Sequence, residues 1–192
     1  MDEFETSKEK LNELIAVNRQ NYLGAKEILG YTANPNTLTD EKKLSHLLLQ
    51  SLSYDIHFNA NNSLLNEMIS SGSLKDISNN RLRVLLTNWS AMIEDIARQE
   101  HDLDTQRKKT IDIFRQEPYS IKTLFVHTNG PLRNNLNLSG QATSNLSLLR
   151  SLAFENNILM FYLSSQATEE SHYLPLLNKL NAILDLINKE IE

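Results

Sequence analysis

The spacing Glu169-x-x-His172 is the one place in this chain where two ligand-type side chains stand as they do in helical di-metal sites. Such sites need two Glu-x-x-His pairs and two further carboxylates on facing helices. A second pair is missing here, and Glu169 precedes Pro175 in a polar run, so the segment reads as a solvated helix junction. The five histidines, His46, His57, His101, His127 and His172, fall in five separate stretches. None pairs with another at i, i+4, so the zinc-protease pattern is absent. With no cysteine there is no thiolate nucleophile, disulfide or Cys-ligated metal. No Gly-x-Ser-x-Gly elbow marks a serine, and no glycine-rich loop is built to cradle a phosphate. These absences predict a protein without catalytic residues, metal or cofactor.

One polar pair is less easily dismissed. The rhythm Trp89, Ile93, Ile96 continues through Leu103 and carries Glu100 and Arg107 onto the same helical face. An unpaired interior charge is strongly unfavourable, so buried versions of both would require partners. They either form a polar layer that fixes helix register or binds a small polar ligand, or the bundle ends there and both reach water.

The elements that must hold these residues are helical. Gly 5 and Pro 4 in 192 residues leave few breaks, too few for the turns of an all-β chain. Apolar residues recur at three- and four-residue steps in several stretches. Phe4, Leu11, Ile15, Tyr22, Ala25 and Leu29 mark a helix over about 3–29, ended by Gly30. Thr39 is the expected N-cap of a second, 39–53. A short helix, 63–70, is closed by Gly72. Ser78 is the expected cap of the longest, 79–116, whose stripe includes Leu82, Leu86, Trp89 and Phe114, with Pro118 beyond its end. Over 143–170, Leu146, Leu149, Ala153, Met160 and Leu163 form the expected core stripe, widened by Leu148, Leu152 and Leu159. Tyr173, Leu177, Leu180 and Leu184 continue through 173–191, and Pro175 predicts a kink or restart near Ser171. The expectation is one domain over 1–192, an all-α bundle of long, mostly antiparallel helices with one long loop, Tyr119–Gly140. Tyr119 to Val126 reads as extended.

The net charge of −5 argues against a nucleic-acid surface, whose affinity comes from cations on phosphates. Arg107-Lys108-Lys109 is offset by Asp102, Asp104 and Asp112. No run of about 18 apolar residues is present. Met1 is followed by acidic residues, unlike a signal peptide. Helical spacing begins at Asp2 with no capping turn, as if a longer helix were being continued.

Ser71-Gly72-Ser73-Leu74, Ile77-Ser78-Asn79, Leu82-Arg83, Leu86, Trp89 and Glu94-Asp95, with Leu149–Asn157 and Asn61–Ser70, resemble the central motif of an uncharacterised family of bacterial single-span, membrane-anchored proteins. The resemblance covers most of the chain and rests mainly on capping and packing residues. It implies a short basic segment and one membrane helix ahead of this domain, neither of which this sequence contains. The positive-inside rule would then put the domain on the extracytoplasmic side of the inner membrane. The family has no established catalytic residue to carry over.

The expected role is therefore a non-catalytic interaction or scaffold domain with a protein partner or a second copy. A small-ligand sensor of bundle type is the alternative, and an enzyme of unknown class the third. The expected interaction surface joins the non-helical stretches around Tyr54, Phe58, Tyr119 and Phe125, because binding residues concentrate on loops held by rigid scaffolds.

Overall fold

A computed structural model describes residues 2–37, 40–127 and 143–191. It is all-α, with no strand among the described residues. The helices are α1 (Asp2–Ala33), α2 (Glu41–Leu52), α3 (Ser63–Ser71), α4 (Asn80–Ile113), α5 (Ile121–Val126), α6 (Leu152–Thr168) and α7 (Leu174–Ile191). Short 3-10 turns span Ser73–Asp76 and Leu146–Arg150, and a π turn, Glu169–Tyr173, joins α6 to α7. No helix of the described residues is long and apolar enough to cross a membrane.

The residues gather into two compact units. Unit 1 takes residues 1–16, 56–101 and 167–192; unit 2 takes 17–55 and 102–166. In unit 1 the start of α1 gives Phe4 and Leu11, α4 gives Leu82, Leu86, Trp89 and Ile96, and α7 gives Leu176, Leu180 and Ile183 to a buried core. Trp89 is 0% exposed. Its ring meets Phe4 edge-on at 5.3 Å, and its indole Nε1 donates to Asn62 Oδ1 at 2.7 Å, so the polar edge of a large apolar group is satisfied too. In unit 2 the buried side chains come from α2 (Leu44, Leu47, Leu48), α4 (Leu103), Phe114 just beyond the end of α4, and α6 (Phe154, Ile158, Phe161). Phe114 and Phe154 stand edge to face at 6.2 Å. Gly24 of α1 allows α2 to pass close by, since a Cβ there would stand 2.5 Å from Ser51 Oγ.

Several helix ends differ from the sequence expectation, each for a local reason. Gly72 does end α3 in the left-handed region, at φ 73°. Gly30, by contrast, stays inside α1, which runs three residues further; Thr32 hydrogen-bonds back to Leu29 O at 3.0 Å in that extra turn. Thr39 lies outside the described residues, and Asp40 is the N-cap of α2, accepting from Lys42 N at 2.9 Å. Asn79, not Ser78, caps α4: its Oδ1 accepts from Arg81 N and Leu82 N at 3.1 Å, while Ser78 Oγ donates to Glu190. Tyr119 to Val126 is not extended, because Ile121–Val126 is a helical turn and a half. The remainder of the expected loop, 128–140, lies outside the described residues.

The largest correction concerns α6. Met160 and Leu163, expected in the core, are both 48% exposed, and Leu152 and Leu159 are 69% and 40% exposed. Phe154, Ile158 and Phe161 take the interior instead. The helix is apolar on both faces, so periodicity alone gives two answers, and the face with two phenylalanines removes more area from water.

Pro175 acts where the sequence placed it, through a π turn. Having no N–H, Pro175 cannot donate to the carbonyl of Ser171, and its ring would collide with that turn of an α-helix. One wider turn resolves the conflict, and Leu174 N bonds to Glu169 O five residues back. The extra residue turns Glu169 inward, to 4% exposure. The solvated junction expected there is thereby corrected.

Candidate functional site

The polar residues singled out in α4 have disjoint partners. Glu100, in unit 1, is 2% exposed. Its Oε1 accepts from Phe58 N and from the Tyr173 hydroxyl, both at 2.9 Å, and its Oε2 lies 3.8 Å from His57 Nδ1. Burial pushes the Glu100 carboxyl up, more than these three neighbours pull it down. Burial, and then the adjacent carboxylate, push the Tyr173 phenol up, so Tyr173 keeps its proton and is the donor. Phe58 and Tyr173 are themselves buried, while His57 is half-exposed. The Glu100 carboxyl fastens the non-helical 54–62 segment and the π turn to α4.

Arg107, in unit 2, is 16% exposed. Its Nη1 donates to Leu52 O at 2.8 Å, satisfying a carbonyl that the end of α2 leaves open. Its Nη2 meets Asp104 at 3.0 Å and Asp55 at 3.6 Å. Burial alone would push the Asp104 carboxyl up, but hydrogen bonds from Lys108 and Arg107 outweigh it and hold it below the usual range. Arg107 thus pins the C-terminus of α2.

That end of α2 forms one wall of an apolar cleft in unit 2. Leu48, Leu49, Leu52 and Ser53 face Ile111 of α4, Phe114 just beyond its end, and Ile121, Leu124 and Phe125 of α5 across a cleft of about 370 Å³. Eight of these nine side chains are apolar, the ninth is a hydroxyl, and none is charged. A six-residue helix such as α5 has no stability of its own. Here it is clasped. Ser120 N donates to Asn145 Oδ1, and Asn145 Nδ2 donates back to Ser120 O, both at 2.9 Å. Thr123 Oγ1 donates to Thr143 O, and Asn145 N in turn donates to Glu41 Oε2 on α2. Ser120 Oγ caps α5 by accepting from Thr123 N. The cleft is therefore walled by pre-positioned elements.

Of the four aromatics expected to form a surface, Phe125 lines the cleft half-buried, Tyr54 follows the lining residue Ser53 and is 55% exposed, and Tyr119 is half-buried two residues before Ile121. Phe58 is in the core of unit 1 at 7% exposure, with its N–H committed to Glu100. Leu49, Ile111, Asn145 and Glu41 carried no signal for this cleft in the sequence. Ser120 three residues before Thr123, with an apolar run following, was the one hint of a capped helix.

In unit 1 the π turn borders a smaller hollow of about 80 Å³, lined by Asp95, Ser171, His172 and Lys179 over Met92, Ile96, Pro175 and Leu176. His172 Nδ1 lies 3.6 Å from Asp95 Oδ2, and Asp95 also pairs with Arg98 at 2.9 Å. Among the described residues no three His, Asp or Glu side chains are grouped to hold a metal ion. Comparison with protein-family models, with curated proteins and with solved structures finds no match to this chain.

Proposed function

We propose that this chain is a non-catalytic interaction module whose cleft between α2, α4 and α5 receives the apolar face of a helix from a partner protein. The observation that carries this reading is the cleft itself. It is a preformed apolar trough among clasped helices, with no charged side chain in its lining. Helix-in-groove recognition uses such troughs, with apolar anchors spaced one turn apart on the incoming helix. Tyr54 and Tyr119 flank the lining in sequence and are of the residue class enriched at interfaces. The family resemblance supports a setting on the extracytoplasmic side of a bacterial inner membrane, tethered by a helix ahead of the domain.

A second reading, a small neutral apolar ligand as in a sensor, is favoured by the size of the cleft, which falls in the range of roughly 300–1,000 Å³ usual for ligand sites. The uncharged lining argues against a ligand with a buried ionic group.

A photo-crosslinking residue at Phe125, used in the native host, should trap a protein that mass spectrometry identifies and that binds the purified chain. Leu49→Glu should abolish that complex while shifting stability by about 1 kcal/mol or less, since Leu49 is half-exposed. Binding of an apolar fluorescent probe without any trapped protein would favour the ligand reading. Neither probe binding nor a cross-link would sink both.

A further inference from the structure

Helix α6 carries an apolar face that its own unit does not use. Phe154, Ile158, Phe161 and Ser165 point inward, each 0% exposed. Leu152, Asn156, Leu159 and Leu163 lie on the exposed side. Their steps of four, three and four residues are those of a heptad seam. Assigned that way, Leu152 and Leu159 are d positions, and Asn156 and Leu163 are a positions, while the buried residues fall at c and f. A single asparagine at an a position specifies register and oligomer state, and in a parallel pair the two Asn156 side chains meet each other across the axis.

We infer that two copies of this chain associate in parallel through the α6 seam. Electrostatics permit it: although the chain carries −5 overall, the seventeen residues of α6 include a single charged side chain, Glu155. In a parallel pair Glu155, at g, faces the e position of the other copy, which is Met160, 48% exposed and uncharged. Like charges do not meet. A free peptide of two heptads would fold poorly alone. Here α6 is already held against its unit by Phe154, Ile158 and Phe161, so association does not carry the cost of forming the helix. With only Leu152, Leu159, Met160 and Leu163 exposed along it, the stripe is smaller than the roughly 800 Å² per partner of a standard interface. The dimer is accordingly weak and concentration-dependent. This inference stands apart from the cleft of α2, α4 and α5 and does not require it.

Analytical ultracentrifugation of the whole chain should find a monomer–dimer equilibrium. Leu159→Lys and Leu163→Lys should each weaken it by about tenfold or more, with unchanged circular dichroism, whereas Val84→Lys, at an exposed apolar site in unit 1, should leave it unaltered. Because the chain has no cysteine, single replacements report register directly. Leu152→Cys, Asn156→Cys and Leu163→Cys should each form same-residue disulfides on mild oxidation. A monomer at all concentrations overturns the inference. So does a dimer insensitive to Leu159→Lys and Leu163→Lys. A dimer in which Leu152→Cys joins only to Leu163→Cys in a mixture overturns the parallel arrangement.

Discussion

Trp89 and Phe125 are both large aromatics that the sequence marks out, and the structure gives them opposite surroundings. Trp89, in unit 1, is sealed from water, touches Phe4 edge-on and has its indole N–H engaged by Asn62. Nearby polar groups of that unit are treated alike: Glu100 has two donors at 2.9 Å and a histidine at 3.8 Å. Phe125, in unit 2, is half-buried along an open cleft, and α6 of the same unit turns three leucines and a methionine outward. Around Trp89 and Glu100, unit 1 uses its distinctive side chains to complete an interior, while it too leaves Leu64, Ile69 and Val84 exposed elsewhere. Unit 2 gathers most of its exposed apolar side chains along one cleft and one face of α6, and continuous surface of that kind is what binding sites are made from.

This contrast is broken or sharpened by measurement, beginning with the interior. Trp89→Ala should lower unfolding free energy by about 3–5 kcal/mol, through a large cavity and a stranded Asn62 amide. Denaturant titration tests it, and a loss near that of an exposed residue would erase the distinction between the two aromatics. Tyr173→Phe should cost about 1.5–3 kcal/mol at neutral pH, the usual worth of a hydrogen bond to a charged group. The loss should fade in acid, where the carboxylate no longer carries charge; a loss independent of pH would mean that Tyr173 contributes packing alone.

The smallest effect concerns Glu100 itself. Its carboxyl is raised by burial, so the folded state prefers the protonated form. The stabilising contribution is complete below the pKa of the unfolded chain and is lost as pH rises through the higher folded value. Glu100→Gln, which cannot ionise, should therefore gain on the parent protein between mildly acidic and neutral pH. The gain should be smaller than the loss in Tyr173→Phe. Parallel pH profiles for the two proteins would show that Glu100 keeps its ordinary acidity.

How far the sequence anticipated these features depends on whether one physical constraint acted alone. Gly72 was legible because a left-handed residue at a helix end leaves little choice but glycine. The stripe Leu82, Leu86, Trp89, Ile96 was legible because α4 has a single apolar face there; extending it put Glu100 and Arg107 on that face but left open whether they were buried or reached water. The α6 core was misread because two apolar faces competed, and the difference between phenylalanine and methionine in area decided the outcome. Gly30 was misread because a helix passes through glycine at a cost of about 1 kcal/mol when the following turn has its own bonds. Helix α5 and its cleft depend on Asn145, 25 residues from Ser120, and on Glu41, 104 residues from Asn145, and local pattern carries no record of so distant a clasp.

The π turn at Glu169–Tyr173 has a consequence for the length of the chain. Ahead of it the buried positions run Phe154, Ile158, Phe161, Ser165, Thr168; from it they run Glu169, Tyr173, Leu176, Leu180. The second series starts one residue after the first ends, so the turn works as a spacer of a single amino acid. Deleting any one residue there, with Pro175 also replaced by alanine, would let the helix close into regular α geometry. Everything beyond it would then rotate by one position, roughly 100°, carrying the Tyr173 hydroxyl off Glu100. The stretch is thus constrained in its number of residues as well as in their kind.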